Sequence, residues 1–193
     1  MTSSCPVLLV SGSLRSGSTN TALLRTVQLV APAGIETSLY ADLDGLPHFD
    51  PDRDRVPLHP SVDALRMTIR ACAAILFSTP EYAGALPGSF KNLLDWTIGD
   101  EHPGSIYEKP VAWVNASATP TGAADAHDSL RKVLQYAHAV VVEDACVSIP
   151  VTRLMVGDDG FIGDPSVHTR ILEALTTLVA RTACFEEDGT DSG

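Results

Sequence analysis

VLLVSGSLRSGSTN, running from Val7 to Asn20, decides how the rest of the chain is read. A short apolar run gives way to small, hydroxylated and basic residues. An amphipathic pattern then begins with Leu23, Leu24, Val27 and Val30. This is the pattern of a buried strand, a polar turn and the first turn of a helix. Backbone N–H groups at such a helix start point outward, and the helix dipole favours an anion there. Ser11, Ser13, Ser16, Ser18, Thr19 and Asn20 add neutral donors, and Arg15 adds charge-assisted ones. Gly12 and Gly17 allow a ligand to come close to the chain. The charge pattern agrees. The protein carries 24 acidic residues and a net charge of −11, yet no carboxylate side chain precedes Glu36.

Two nucleotide fingerprints come near and fail. Gly12, Gly17, Ser18 and Thr19 spell G-x-x-x-x-G-S-T, without the lysine that a Walker-type loop places against the terminal phosphates. The dinucleotide pattern G-x-G-x-x-G lacks its middle glycine. What remains suits a single terminal phosphate monoester. The competing reading is a serine-rich N-cap loop that binds nothing.

The length of 193 residues suffices for one domain, taken as residues 1–185, with an acidic tail over 186–193 that includes Glu186, Glu187, Asp188 and Asp191. MTSSCPVLLV has no basic start and too short an apolar run for a secretory signal, and no run reaches the length of a membrane span. Cys5, Cys72, Cys146 and Cys184 are scattered, as expected of reduced thiols in a cytoplasmic protein. The six histidines show no metal-ligand spacing, so no metal is expected. The acidic balance speaks against nucleic acid, which requires a basic footprint.

Apolar runs alternate with helical patterns along the whole chain. The runs predict strands at Val7–Val10, Ile35–Leu39, Ala74–Phe77 and Val111–Val114, with a fifth strand region over Val140–Val142 and Cys146–Ile149. Helices are predicted over Asn20–Val30, Ser61–Cys72, Ser89–Ile98 and Ser129–His138, and after the Asp164-Pro165 cap. Continuous apolar strands separated by helices imply a parallel sheet covered on both faces, an α/β three-layer fold. The proline-rich loop Asp42–Pro60 is long enough either to cover a site or to meet a partner, or simply to lie extended in solvent. Asp158-Asp159-Gly160 signals a small hairpin.

The third strand runs into PEYAGALPGSFKNLLDW, Pro80–Trp96. If the first and third strands are neighbours, both loops face one crevice at the carboxyl edge of the sheet. The second loop brings Tyr82, a flat apolar surface, with Gly84 and Gly88 to admit a ring, and Pro80 and Pro87 to stiffen it. A planar heterocycle carrying one phosphate fits both loops. Phe90 and Trp96 read as core or interface residues, Lys91 and Asp95 as an i,i+4 pair, and Arg25 as solvated.

These two loops, together with LPHFDPDRD at Leu46–Asp54 and SLRKVL at Ser129–Leu134, resemble the NADPH-dependent FMN reductases of the flavodoxin-like superfamily, from about Val7 to Leu178. The resemblance implies a five-stranded parallel sheet in the order 2-1-3-4-5. It implies that Ser13, Arg15, Ser18, Thr19 and Asn20 hold the FMN phosphate, and that Pro80, Glu81, Tyr82, Ala83 and Gly84 line the flavin ring. Ser117 and Gly122 would meet the flavin edge. The family usually has Asn where this chain has Ala83. NADPH or NADH would be co-substrate, a quinone, flavin, azo compound or metal ion the acceptor, and the order of events ping-pong. A homodimer or homotetramer is also implied, and no catalytic triad is needed. The alternatives are a flavodoxin-like FMN electron carrier and, on the strength of the acidic strand end Val140-Val141-Val142-Glu143-Asp144, a magnesium-dependent nucleotide hydrolase.

Overall fold

The computed structural model describes residues 4–117 and 121–185. The acidic tail expected over 186–193 lies outside the described residues, as do Ala118, Thr119 and Pro120 of the fourth loop. β1 (Cys5–Ser11) leads to α1 (Thr19–Val30), β2 (Ile35–Leu39), α2 (Pro60–Ala71), β3 (Ala74–Ser78) and α3 (Gly88–Ile98). β4 (Pro110–Asn115), α4 (Ala124–Tyr136), β5 (Val140–Val141), β6 (Val147–Ser148) and α5 (Pro165–Val179) follow. The sheet is parallel in the order β2-β1-β3-β4-β5. The expected fifth strand is broken in two. β5 pairs with the start of β4 and β6 with its end, and a 3-10 turn over Glu143–Ala145 lies between them.

Strand side chains alternate between two cores, as a sheet covered on both faces demands. Val7, Leu9, Leu76 and Val114 pack under α1 and α5, while Leu8, Val10, Phe77 and Trp113 pack under α2, α3 and α4. Phe90 and Trp96 are fully buried, as read from the sequence, and Lys91 does pair with Asp95.

The helix starts follow local chemistry where local chemistry exists. Ser18 caps α1 through its Oγ, which accepts from Thr21 N, and Asp164 caps α5 by accepting from Ser166 N, with Pro165 at the first position. α4 corrects the prediction. It begins at Ala124, a full turn before Ser129, and its N-cap residue Ala123 is left-handed with no side-chain bond of its own. Nothing in the local sequence announces that start, because the cap arrives from another loop.

The long Asp42–Pro60 loop is largely exposed, as one of the expectations had it, but it is anchored at several points. Leu43 and Leu46 are buried, and Phe49 meets Trp96 edge-on with ring centroids 4.9 Å apart. Trp96 Nε1 donates to Pro47 O at 2.8 Å, and Asp54 pairs with the buried Arg66 at 2.8 Å. The loop is thereby pinned to α2 and α3. The hairpin expected at Asp158-Asp159-Gly160 is present, with Val156 bridging Ile162 and Gly157 N donating to Phe161 O at 2.8 Å. Among the described residues no helix is long and apolar enough to cross a membrane.

One buried hydroxyl ties that hairpin to α1. Thr26 Oγ1 donates to Ala22 O at 2.9 Å and accepts from Ile162 N at 3.0 Å. Thr26→Val keeps the shape and strands the Ile162 N–H without an acceptor. The expected cost is about 1–3 kcal/mol, read as a lower urea midpoint with an unchanged slope. An unchanged midpoint would show that the bond contributes nothing to stability.

Candidate functional site

Ser11 and Ser78 are side by side where β1 and β3 end. Gly12 N donates to Ser78 O at 2.8 Å, carrying the ladder one step past β1. A Cβ at Gly12 would overlap the Thr79 hydroxyl and lie 2.8 Å from Phe90 Cδ1, so only glycine fits here. Directly beyond this point the two loops diverge, one into α1 and the other towards α3. The two stretches singled out in the sequence therefore leave the sheet side by side, at the carboxyl ends of neighbouring strands.

Within the first loop the hydroxyls first organise the loop itself. Ser11 Oγ bonds Thr21 Oγ1 at 2.8 Å and accepts from Ser13 N, while Ser13 Oγ accepts from Arg15 N. Ser18 N donates to Arg15 O. Asn20 is buried and reaches across to β3, where its Oδ1 accepts from Ser78 Oγ at 2.9 Å. Among the described residues the N–H groups of Leu14, Ser16, Gly17, Thr19 and Asn20 have no protein acceptor, and Arg15 makes no ion pair. An array of unpaired N–H groups at a helix start, beside a free guanidinium, is chemically an anion cradle.

The second loop closes on itself. Tyr82 N donates to Ala85 O at 3.0 Å and Ala85 N to Tyr82 O at 3.1 Å. Ala83 has φ of 52° and Gly84 of 68°. Positive φ at both central residues makes this a type I′ turn, for which Asn-Gly is the favoured pair. The turn leaves Tyr82 46% exposed at the rim. Pro80 is half-buried at the base.

Glu81 does something the sequence did not reveal. Its Oε2 accepts from Ala126 N at 3.2 Å, so its carboxylate caps α4 across the crevice. One of its two carboxylate oxygens is thereby committed to that helix. The third wall is the β4–α4 loop. Asn115, missed in the sequence reading, holds both ends of that loop. Its Oδ1 accepts from Ser117 N at 2.8 Å and its Nδ2 donates to Gly122 O. Gly122 and Ala123 both have positive φ, which turns the chain into α4. Behind this wall His127 stacks on Trp113 with ring centroids 5.5 Å apart. Burial holds its imidazole below the usual range, with Glu81 pulling the other way. Glu143, which the hydrolase alternative needed as a metal ligand, is paired with Arg131.

Arg25 is exposed, as read from the sequence, but it does not stand alone. With Arg153 it lines a cavity of about 240 Å³ on the outer side of the phosphate loop, together with Ser16, Gly17, Ser18 and Thr21. No spacing rule could have joined Arg25 to Arg153, which arrives from the connection between β6 and α5.

A parallel sheet in this order, with an anion cradle and a ring-sized turn at the β1/β3 switch point, defines a flavodoxin-like nucleotide-binding fold. The comparisons sharpen this. Residues 5–152 match the model of the NADPH-dependent FMN reductase family, and the chain belongs to that family. It is 40% identical over 137 residues to an NAD(P)H-dependent FMN reductase of Pseudomonas aeruginosa, covering 70% of this chain and 72% of that protein. It is 32% identical over 145 residues to the quinone reductase of Escherichia coli K12, covering 74% and 76%. Among solved structures it is similar to FerB, a flavoenzyme NAD(P)H:(acceptor) oxidoreductase of Paracoccus denitrificans, with a TM-score of 0.74 and 28% identity over 91% of this chain and 95% of that one.

The left-handed Ala83 leads to a stability test. A residue other than Gly, Asn or Asp is disfavoured there by roughly 1–2 kcal/mol. Ala83→Asn is therefore expected to raise the unfolding free energy by about 1 kcal/mol, measured by urea titration. A midpoint that stays put or falls would mean the turn carries no such strain.

Proposed function

We propose that this chain is an FMN-dependent NAD(P)H oxidoreductase that reduces a small acceptor such as a quinone, a second flavin, an azo compound or a metal ion. The observation that carries the proposal is the set of unpaired N–H groups and the free Arg15, lying directly beside a type I′ turn that presents Tyr82. The cradle suits a phosphate monoester, and the adjoining turn suits the flat ring attached to it.

Ser13, Arg15, Ser18, Thr19 and Asn20 would hold the FMN phosphate, Thr19 and Asn20 through free backbone N–H groups, Ser13 and Ser18 through their hydroxyls, and Arg15 through its fork. Pro80, Glu81, Tyr82, Ala83 and Gly84 would line the ring. Ser117 and Gly122 would close its edge. The flavin, when bound, supplies the hydride-transfer chemistry. The protein's part is to grip, orient and expose one face at the Tyr82 rim. No side chain is asked to move a proton, and Glu81 has one carboxylate oxygen committed at α4. We propose that dinucleotide and acceptor use the same open face in turn, which makes the kinetics ping-pong.

We further propose self-association as a homodimer or homotetramer. Ile98, Tyr107 and Tyr136 are exposed apolar residues around a cavity of about 550 Å³ between the C-terminal ends of α3 and α4, which supports a covered face there. The free cysteines among the described residues support a reducing, cytoplasmic location.

The test is direct. Purified protein should take up FMN and show its visible bands, and it should then oxidise NADPH when a quinone is present. Uptake without NADPH oxidation would leave an electron carrier instead. Arg15→Ala should weaken FMN binding by roughly one to two decades, the worth of one charge-assisted bond to phosphate. It should leave the urea midpoint unchanged. Undiminished affinity would place Arg15 outside the phosphate site.

A further inference from the structure

The cavity formed by Arg25 and Arg153 is not accounted for by the flavin. Arg25 projects from α1, and Arg153 from the single 3-10 turn Arg153–Met155 that follows β6. Each guanidinium packs against a glycine. Arg153 Nη2 lies 2.8 Å from where a Cβ on Gly17 would be, so the guanidinium packs straight onto the phosphate loop. Arg25 Nη1 lies 3.4 Å from where a Cβ on Gly160 would be, at the turn of the hairpin. The hairpin is held to α1 by the Thr26–Ile162 bond, and the His168 ring bonds Ile162 O at 2.5 Å. The cavity walls are thus fixed to the helix by buried bonds rather than hung on a free loop.

Among the described residues neither arginine forms an ion pair, although Asp158 and Asp159 lie on the same hairpin. In a chain of net charge −11, two unpaired guanidinium groups facing one small cavity are an unusual concentration of positive charge. Ser16 and Thr21 also line it, as do the backbones of Gly17 and Ser18. Planar forks of this kind are suited to phosphate.

The cavity lies to one side of the flavin crevice. Asn20 faces β3 and the ring loop. Arg25 comes five residues later, about 140° further round the helix at 3.6 residues per turn. The phosphate loop therefore has an inner side, turned to the ring loop, and an outer side, turned to the two arginines.

We propose that the Arg25–Arg153 cavity is a second phosphate-monoester subsite, which takes the 2′-phosphate on the adenosine ribose of the reducing dinucleotide and so selects NADPH over NADH. It rests on the flavin reading above. That reading supplies one phosphate, on FMN, to the inner side of the loop. The two dinucleotides differ by one phosphate monoester, and only the outer side offers two unclaimed guanidinium groups to receive it. An arginine is the usual partner of a 2′-phosphate in dinucleotide sites of other folds.

The experiment uses FMN-loaded protein, so that the inner side is already filled. Calorimetric titration with 2′,5′-ADP and with 5′-AMP compares ligands with and without the 2′-phosphate. The wild type should bind 2′,5′-ADP about tenfold to a hundredfold more tightly. Arg25→Gln and Arg153→Gln should each lose most of that difference while keeping the wild-type ratio of flavin to protein absorbance. Equal binding of the two probes by wild type would overturn the proposal, as would a preference that survives both substitutions. Loss of FMN in either variant would overturn it too, by assigning the arginines to the flavin phosphate. A wild-type protein that takes up no FMN would sink the flavin reading and this inference with it. That failure shows in the visible spectrum, before any probe is added.

Discussion

Gly12 sits where β1 stops being a strand, and the site depends on how close the backbone comes there to β3. Its N–H continues the ladder to Ser78 O, and its missing Cβ leaves room for the Thr79 hydroxyl and the Phe90 ring. Parallel strands held in register to their last residue release their loops at the same height. Here that brings an array of free N–H groups level with a tight turn. A side chain at position 12 would force the strand ends apart and separate the two halves of the crevice. Packing in the core under β3 and chemistry at the rim are therefore one constraint, since Phe90 belongs to both.

Charge is distributed to match. Acidic side chains are absent up to β2, while Arg25 and Arg153 share a cavity beside the phosphate loop and, like Arg15 on that loop, have no carboxylate partner among the described residues. Other arginines are spent structurally, as with Arg66 on Asp54 and the Trp96 carbonyl, or Arg70 on Asp100. An unpaired guanidinium is well solvated and costs the fold little at an exposed rim. It keeps its full field for an incoming anion, which would otherwise be repelled by the net negative surface.

The sequence reveals those features whose cause is local. Strand order aside, β1, β3 and β4 are legible because each is a continuous apolar run. α1 and α5 are legible because Ser18 and Asp164 cap them from within. The phosphate loop is legible because its small residues and its lack of acids are contiguous. What was hidden has causes that lie far along the chain. α4 starts early because Glu81 caps it from the β3–α3 loop. Arg25 reads as a solvated helix residue, and nothing near it in the chain says that the 3-10 turn after β6 brings Arg153 to the same cavity. Asn115, the last residue of β4, looks like a strand end and turns out to tie both ends of the fourth loop. The family resemblance bridged part of this gap by assigning loops to a flavin, but it could not say which side chains were already committed within the protein.

Glu81 shows what such a commitment does. A carboxylate at the N-terminus of α4 satisfies a helix N–H that Ala123 cannot serve, and it meets the positive end of the helix dipole. The same bond fastens the ring loop to the wall opposite, so the turn carrying Tyr82 is held from both sides of the crevice: by β3 at its root and by α4 near its tip. The turn and that helix also come close at Gly84, where a Cβ would meet Asp125 Oδ2 at an ordinary contact distance of 3.7 Å. A surface meant to lie against a flat ring gains from being rigid, because each loose torsion in the loop would have to be frozen when the ring arrives. In this chain the rigidity comes from an ionic cap and a strained turn rather than from a buried side chain, which leaves the Tyr82 face open to solvent and free to be covered.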